Sequence, residues 1–336
     1  MNPYHDVNWA TVQQLQSVSH DHPTINSQTA FDSRYNRGIR HLAPSQYVPA
    51  HHNFPLSDFW AETYDMIGSP NSEKVQFSDS SIHMCAIGSL YNSEGHNTPE
   101  NEKLPWRIKL NNCFANLQHP DVGGMTINHT NDYLAIVARL DYDPKVLGME
   151  IWNGRLASYP DGQIASGRGF YLNTWDRVLR TGRRCFGFCA PDSHVSWSNH
   201  VLGRNVLLVP SINQHETLKA YRDGRFYGAL VGGVIQFTKI EYNGNVFTVE
   251  TDGADRIEIV HGDENKTYTK TTNSNTATYT VHKNDVYVRA MAYKNGAGTL
   301  NVAPDEMLFT NAVQLKKLAQ LQSEKRRKRI KKYLLN

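Results

Sequence analysis

Up to residue 230, short apolar runs alternate with stretches whose apolar positions fall three and four apart. Met125–His129, Val146–Trp152, Cys185–Ala190 and Asn205–Val209 are apolar runs bounded by Gly, Asn or Asp, which is the mark of buried strands. Ser81–Leu90 and Ile39–Ala43 read as strands too, the second closed by Pro44. Helical spacing predicts helices over Thr29–Gly38, Phe59–Ile67, Asp132–Leu140, Thr174–Thr181 and Ile212–Asp223, with Gly38 and Gly182 as stops. Tyr47–Asp58 carries Pro49 and Pro55 and reads as a loop, and Pro70–Glu73 as a turn. Strands followed by helices predict parallel βα units, the α/β class.

The texture changes at Gly233. Alternating runs over Ile235–Tyr242, Asn245–Thr251, Arg256–Val260, Ala277–Val281 and Val286–Tyr293 are divided by Asn-Gly and Asp-Gly turn pairs. That is the pattern of a small antiparallel, sandwich-like β domain. Leu315, Leu318 and Leu321 then open a helix. The expected organisation is an α/β domain over 1–232, a β domain over 233–314 and a helical tail over 315–336.

Composition sharpens this picture in three places. At 336 residues and 39% hydrophobic, the chain has length and apolar content for two packed domains. It has no apolar run of the roughly 20 residues needed to span a bilayer, and its first residues lack a secretory pattern, so a cytoplasmic location is expected. Cys85, Cys113, Cys185 and Cys189 are scattered, three of them in apolar runs, and are expected to be reduced and structural. The net charge of +3 hides a basic tail. Lys316–Asn336 holds nine Lys/Arg against one Glu, leaving 26 basic and 31 acidic residues in the body. A contact with a polyanion therefore belongs to the tail, where the absence of aromatics between Lys325 and Lys332 argues against base stacking.

The candidate chemistry starts at Ser19-His20-Asp21-His22. Side chains alternate across an extended strand, so His20 and His22 point the same way. Neutral imidazoles so placed are a ready pair of metal ligands. Asp192-Ser193-His194 repeats the geometry with a carboxylate and an imidazole. Glu73, His83, His129 and Asn153 also fall near strand ends, where α/β barrels build their active sites. Mixed imidazole and carboxylate ligands suit Zn, Mn or Fe.

The order H-x-H, Glu, His, Asn-His and Asp-x-His resembles the PHP superfamily of metal-dependent phosphoesterases (polymerase and histidinol phosphatase domains). The resemblance runs over residues 7–230. It is carried also by Val146–Gly154, by Gly187–His194 and by Tyr221–Tyr227, the last resembling the passage from barrel into β domain. It implies a distorted, seven-stranded α/β barrel. It also implies that His20 and His22 bind one metal with Glu73 and Asp192. Glu73 would bridge to a second metal held by His83 and His129, and His194 would belong to a third position. Glu73, Asp192 and His194 then carry the catalysis at a site of two or three divalent ions, hydrolysing a phosphorylated small molecule or the end of a nucleotide or nucleic acid.

Two departures stand beside it. Ser45-Gln46-Tyr47 occupies the place of a Thr-Asp-His, and residues 23–34 contain no His. His51 or His52 is left as the replacement ligand, and Asp79 as a rival to Glu73. Arg155, Arg168 and Arg204 are candidate phosphate binders by charge alone, and none of them is singled out, since most arginines are simply solvated. The departures open a second reading, a barrel that has lost catalysis and binds a partner through its β domain and basic tail.

Overall fold

A computed structural model describes residues 1–24, 27–47, 54–59, 64–75, 77–91, 104–154, 169–194, 203–230, 235–295, 305–324 and 326. The α/β part runs β1 (Gln13–Val18), α1 (Gln28–Tyr35), β2 (His41–Leu42), β3 (Ile67–Gly68), β4 (Glu73–Lys74) and β5 (Met84–Ile87). It continues through α2 (Trp106–Ala115), β6 (Gly124–Ile127), α3 (Tyr133–Leu140), β7 (Val146–Asn153), α4 (Leu172–Leu179), β8 (Phe186–Ala190), β9 (Gly203–Val209), α5 (Gln214–Asp223) and β10 (Phe226–Leu230). Local signals explain several boundaries. Asp132 caps α3 by accepting from Ala135 N, and Asn213 caps α5 by accepting from Glu216 N. Gly224 ends α5 in the left-handed conformation that residues other than glycine rarely adopt.

The β part follows as β11 (Gln236–Asn243), β12 (Val246–Asp252), β13 (Arg256–Gly262), β14 (Thr267–Thr272), β15 (Thr276–Thr280), β16 (Tyr287–Asn295), β17 (Asp305–Thr310) and β18 (Val313–Gln314). Asn243-Gly244 makes the β11–β12 hairpin with Gly244 at φ +61°. The alternating apolar positions of β12 and β15 pack on those of β13 and β16 as a two-layer core. Past β18, residues 318–324 are helical.

The strands do not close into the expected seven-stranded barrel. They form a ten-stranded sheet in the order β14-β13-β16-β17-β10-β9-β1-β2-β3 with β18 beside β16, a five-stranded sheet β4-β5-β6-β7-β8, and a three-stranded sheet β11-β12-β15. The ladder breaks between β3 and β4 and between β8 and β9, and side chains bridge both breaks. Asn205 accepts from Cys189 N and donates to Cys189 O, while Asn71 donates to Ser19 O and Ala43 O. Gly203 is required at the second break, because a Cβ there would lie 3.0 Å from Ala190 N and O. Nor is the sheet uniformly parallel, since β4–β5–β6 and β1–β9–β10 are antiparallel.

Other expectations are corrected. Of the helix expected over Phe59–Ile67, residues 60–63 lie outside the described residues, while a 3₁₀ turn spans Leu56–Asp58 and Ile67 belongs to β3. Helix α2 and strands β14 and β17 were not expected. The ten-stranded sheet joins strands from both sides of residue 233. A buried ion pair spans the same junction: Arg289 on β16 donates twice to Asp176 on α4, both at 2.8 Å. All four cysteines are buried and unpaired.

Candidate metal centre

β1 runs on as extended chain through Ser19-His20-Asp21-His22. The period of two puts His20 and His22 on the inner side and turns Asp21 away. There Asp21 accepts from Arg34 Nε at 2.6 Å and from Ser193 N at 3.1 Å. This links β1 to the residues after β8, as do His22 N to Ser193 O at 2.9 Å and Asp192 N to His20 O at 3.0 Å. The H-x-H and the D-x-H are thus tied backbone to backbone.

Each strand delivers its group to the same rim. Glu73 opens β4. His83 sits at the start of β5, and because β5 runs against β6, that start lies beside the end of β6, where Asn128 and His129 emerge. His129 and Asp192 take φ of 27° and 45°, backbone that costs a non-glycine residue about 1–3 kcal/mol. His129 N donates to Glu150 at 2.8 Å, which helps hold that geometry.

The seven expected ligands converge. His20 Nε2 lies 3.3 Å from Glu73 Oε1, from Asp192 Oδ1 and from His22 Nε2. His22 Nε2 lies 3.2 Å from Glu73 Oε2 and 3.3 Å from Asp192 Oδ1. Glu73 Oε1 also meets His83 at 3.1 Å and His129 at 3.3 Å, and His194 Nδ1 is 3.7 Å from Asp192 Oδ1. Four overlapping groups have ligand atoms close enough for one ion: His20/His22/Glu73, His20/His129/Asp192, His22/Asp192/His194 and Glu73/His83/His129.

These donors fit a cation. Ligand atoms on a tetrahedral ion with bonds of about 2.0–2.1 Å stand about 3.3–3.4 Å apart, close to the spacing found here. Glu73 Oε2 and Asp192 Oδ1 are buried yet accept no hydrogen bond, although imidazole nitrogens surround them. They lie 3.2 and 3.3 Å from His22 Nε2, at the shared centre of the cluster. Exposure sets the direction of approach: the side chains of His20, His22, Glu73 and Asp192 are 4% exposed or less, against 30% for His83, 18% for His129 and 33% for His194.

Glu150 on β7 was missed by the sequence reading. It accepts from His20 Nδ1 at 2.5 Å and, through Oε2, from Asn153 Nδ2 at 2.9 Å. A carboxylate on Nδ1 turns the Nε2 lone pair of His20 into the cluster, as carboxylate partners of ligating histidines do. Asn153 also donates to Asp192 Oδ2 at 3.1 Å, leaving Oδ1 for the centre. Asn128 donates to Glu73 Oε1 at 2.9 Å.

Other candidates go elsewhere. Asp79 accepts from Trp106 N at the start of α2. Arg204 is buried beside Glu306, with Tyr227 also near, so it serves the fold. His51, His52, Arg155, Arg168 and most of the basic run after Glu324 lie outside the described residues.

Comparisons with known proteins add little. No protein-family model and no curated protein matches the chain. Among solved structures, it is similar to a two-domain protein of Bacteroides vulgatus ATCC 8482 containing a predicted PHP-like metal-dependent phosphoesterase. The two are 12% identical, aligned over 92% of this chain and 97% of that one, with a TM-score of 0.48. A likeness that distant fixes neither family nor activity.

The charges balance without an ion. Burial lowers the pKa of His20, but Cys85, Glu73, Asp192 and Glu150 outweigh it and raise the value well above 6.5. His22 and His129 are raised against the same burial, His22 first by Asp192 and His129 first by Glu73. Burial pushes Glu73 and Asp192 upward, but neighbouring imidazoles, His20 foremost, hold both below the usual carboxylate range. In metal-free protein the imidazoles' stabilisation is complete below about pH 6.5 and fades as pH rises through their raised values. That of the carboxylates is complete above about pH 4 and fades as pH falls through their depressed values. Ligation needs neutral imidazoles, so metal uptake releases protons and tightens as pH rises. Calorimetry of Zn²⁺ binding in buffers of different ionisation enthalpy should show that release. Uptake with no proton exchange near pH 6 would contradict it.

Proposed function

We propose that this chain is a metal-dependent phosphoesterase that hydrolyses a phosphate ester with water. The observation that carries the reading is the buried cluster of His20, His22, Glu73 and Asp192, open to solvent along His83, His129 and His194. Glu73 lies within 3.3 Å of four imidazoles and is the group suited to join two cation positions. Two or three divalent ions, Zn, Mn or Fe, suit these donors. Such ions supply Lewis-acid polarisation of a phosphoryl oxygen and a lowered pKa for water.

The chain's own groups do the rest. Glu150, Asn153 and Asn128 fix the ligands' orientation, and the half-exposed histidines face the substrate. A phosphorylated small molecule or a nucleotide or nucleic-acid end suits a site open on one side, and the basic tail is the part suited to a polyanion. A cytoplasmic location remains our reading of the sequence; among the described residues no helix is long and apolar enough to cross a membrane.

The test is hydrolysis of aryl phosphate mono- and diesters by protein stripped of metal and reloaded with Mn²⁺ or Zn²⁺. Activity should return with metal and be absent in His22→Ala. Metal binding with no hydrolysis across that panel would instead favour the second reading, a binding protein on the same scaffold.

A further inference from the structure

Ser45-Gln46-Tyr47 was singled out as a departure, and the structure gives each end of it work. Ser45 Oγ accepts from Asp21 N at 2.9 Å and donates to Asp21 O at 3.0 Å, bracing the chain between the two histidines. Tyr47 reaches the outer edge of the cluster. Its ring lies 4.7 Å from that of His22 and 6.1 Å from that of His194, centroid to centroid, and His194 is itself stacked on His22 at 4.1 Å. Its hydroxyl lies 3.3 Å from His194 Nε2. The other ring nitrogen, Nδ1, faces Asp192, 3.3 Å from its carbonyl and 3.7 Å from Oδ1.

We infer that Tyr47 is a positioning residue for the outer cation position formed by His22, Asp192 and His194. The inference rests on the metal-site reading above. His194 is a third exposed, and an imidazole that open keeps several orientations unless something fixes it. A hydroxyl bonded at Nε2 fixes the ring plane and turns Nδ1 toward Asp192, where Nδ1–H meets the carbonyl in the metal-free chain. With Nε2–H donating to the phenol oxygen instead, the Nδ1 lone pair faces an ion beside Asp192 and His22. Partners on the far nitrogen of a ligating histidine typically govern about 10–100-fold in metal affinity. Each of the four ligand groups holds one carboxylate, and the outer group is the one that contains His194, the ligand Tyr47 touches.

Tyr47→Phe separates the hydroxyl from the ring, since Phe keeps the tilted ring contact with His22. Zn²⁺ and Mn²⁺ titrations of the stripped full-length protein should show one class of site weakened about 10–100-fold and the other classes unchanged. In metal-free protein, imidazole ¹⁵N shifts should report one dominant His194 tautomer in the parent and a mixture in Tyr47→Phe. If the tautomer shifts but the parent binds no metal, the metal-site reading fails while the Tyr47–His194 pairing stands. Unchanged ¹⁵N shifts together with unchanged affinities in every class would overturn the inference. So would an equal loss across all classes, which would mark a general structural role.

Discussion

Glu73→Gln is expected to lower metal-dependent hydrolysis about a thousandfold, with a matching loss of bound metal. Glu73 is 1% exposed and lies within 3.3 Å of four imidazoles, those of His20, His22, His83 and His129. Gln keeps the shape and the bond from Asn128, but it removes the charge and turns an NH₂ toward imidazole nitrogens. Each tenfold in rate corresponds to about 1.4 kcal/mol of barrier, and charge stabilisation at such sites is worth several kcal/mol. kcat/KM and metal content measured together check this, with circular dichroism confirming the fold. A variant keeping parental activity and metal would show that Glu73 joins nothing.

Asp176→Ala is expected to cost about 3–5 kcal/mol of stability, the usual penalty for stripping one partner from a buried ion pair. Arg289 is 2% exposed, sits over Trp175 at 4.9 Å and pairs with both oxygens of Asp176. Its charge would remain inside with nothing to meet it. Urea unfolding reads the loss. The double variant Asp176→Leu, Arg289→Met should recover most of it, because apolar replacements of buried pairs are often neutral or stabilising. A single-variant loss under about 1 kcal/mol would place the pair with exposed salt bridges, which contribute little. The pair joins helix α4 to β16 and includes none of the seven expected ligands, so it tests the junction rather than the site.

The histidines were legible because two rules suffice for them: alternation along a strand, and the placement of chemistry at strand ends. His83 satisfied the second rule for an unexpected reason, sitting at the start of an antiparallel strand rather than the end of a parallel one. Glu150 was hidden by its context. It lies within Val146–Trp152, a run read as a uniformly apolar strand, and every residue of β7 is buried. The available signal was that same burial, since a carboxylate is almost never fully buried without a partner. Asn153 looked equally suited to a turn or a site, and only its bonds to Glu150 and Asp192 separate the two.

The barrel failed for a physical reason. Closure depends on which edges pair, and the sequence does not show that Asn205 and Asn71 would replace ladder hydrogen bonds at two breaks. Helix α2 was overlooked because Lys109 falls on its buried face, 1% exposed, and spoils the apolar stripe. Strands β11, β12 and β15 were legible, since Asn243-Gly244 and strict alternation in β12 and β15 leave few alternatives.

The central claim is that the cluster of His20, His22, Glu73, His83, His129, Asp192 and His194 exists to hold metal. Elemental analysis of the full-length protein, purified without chelators, tests this directly and assumes no substrate. The account predicts about two or more equivalents of Zn, Mn or Fe per chain, largely lost when His20 and His22 are both replaced by Ala. A folded protein that carries none of these metals, and takes up none when they are supplied, would contradict it.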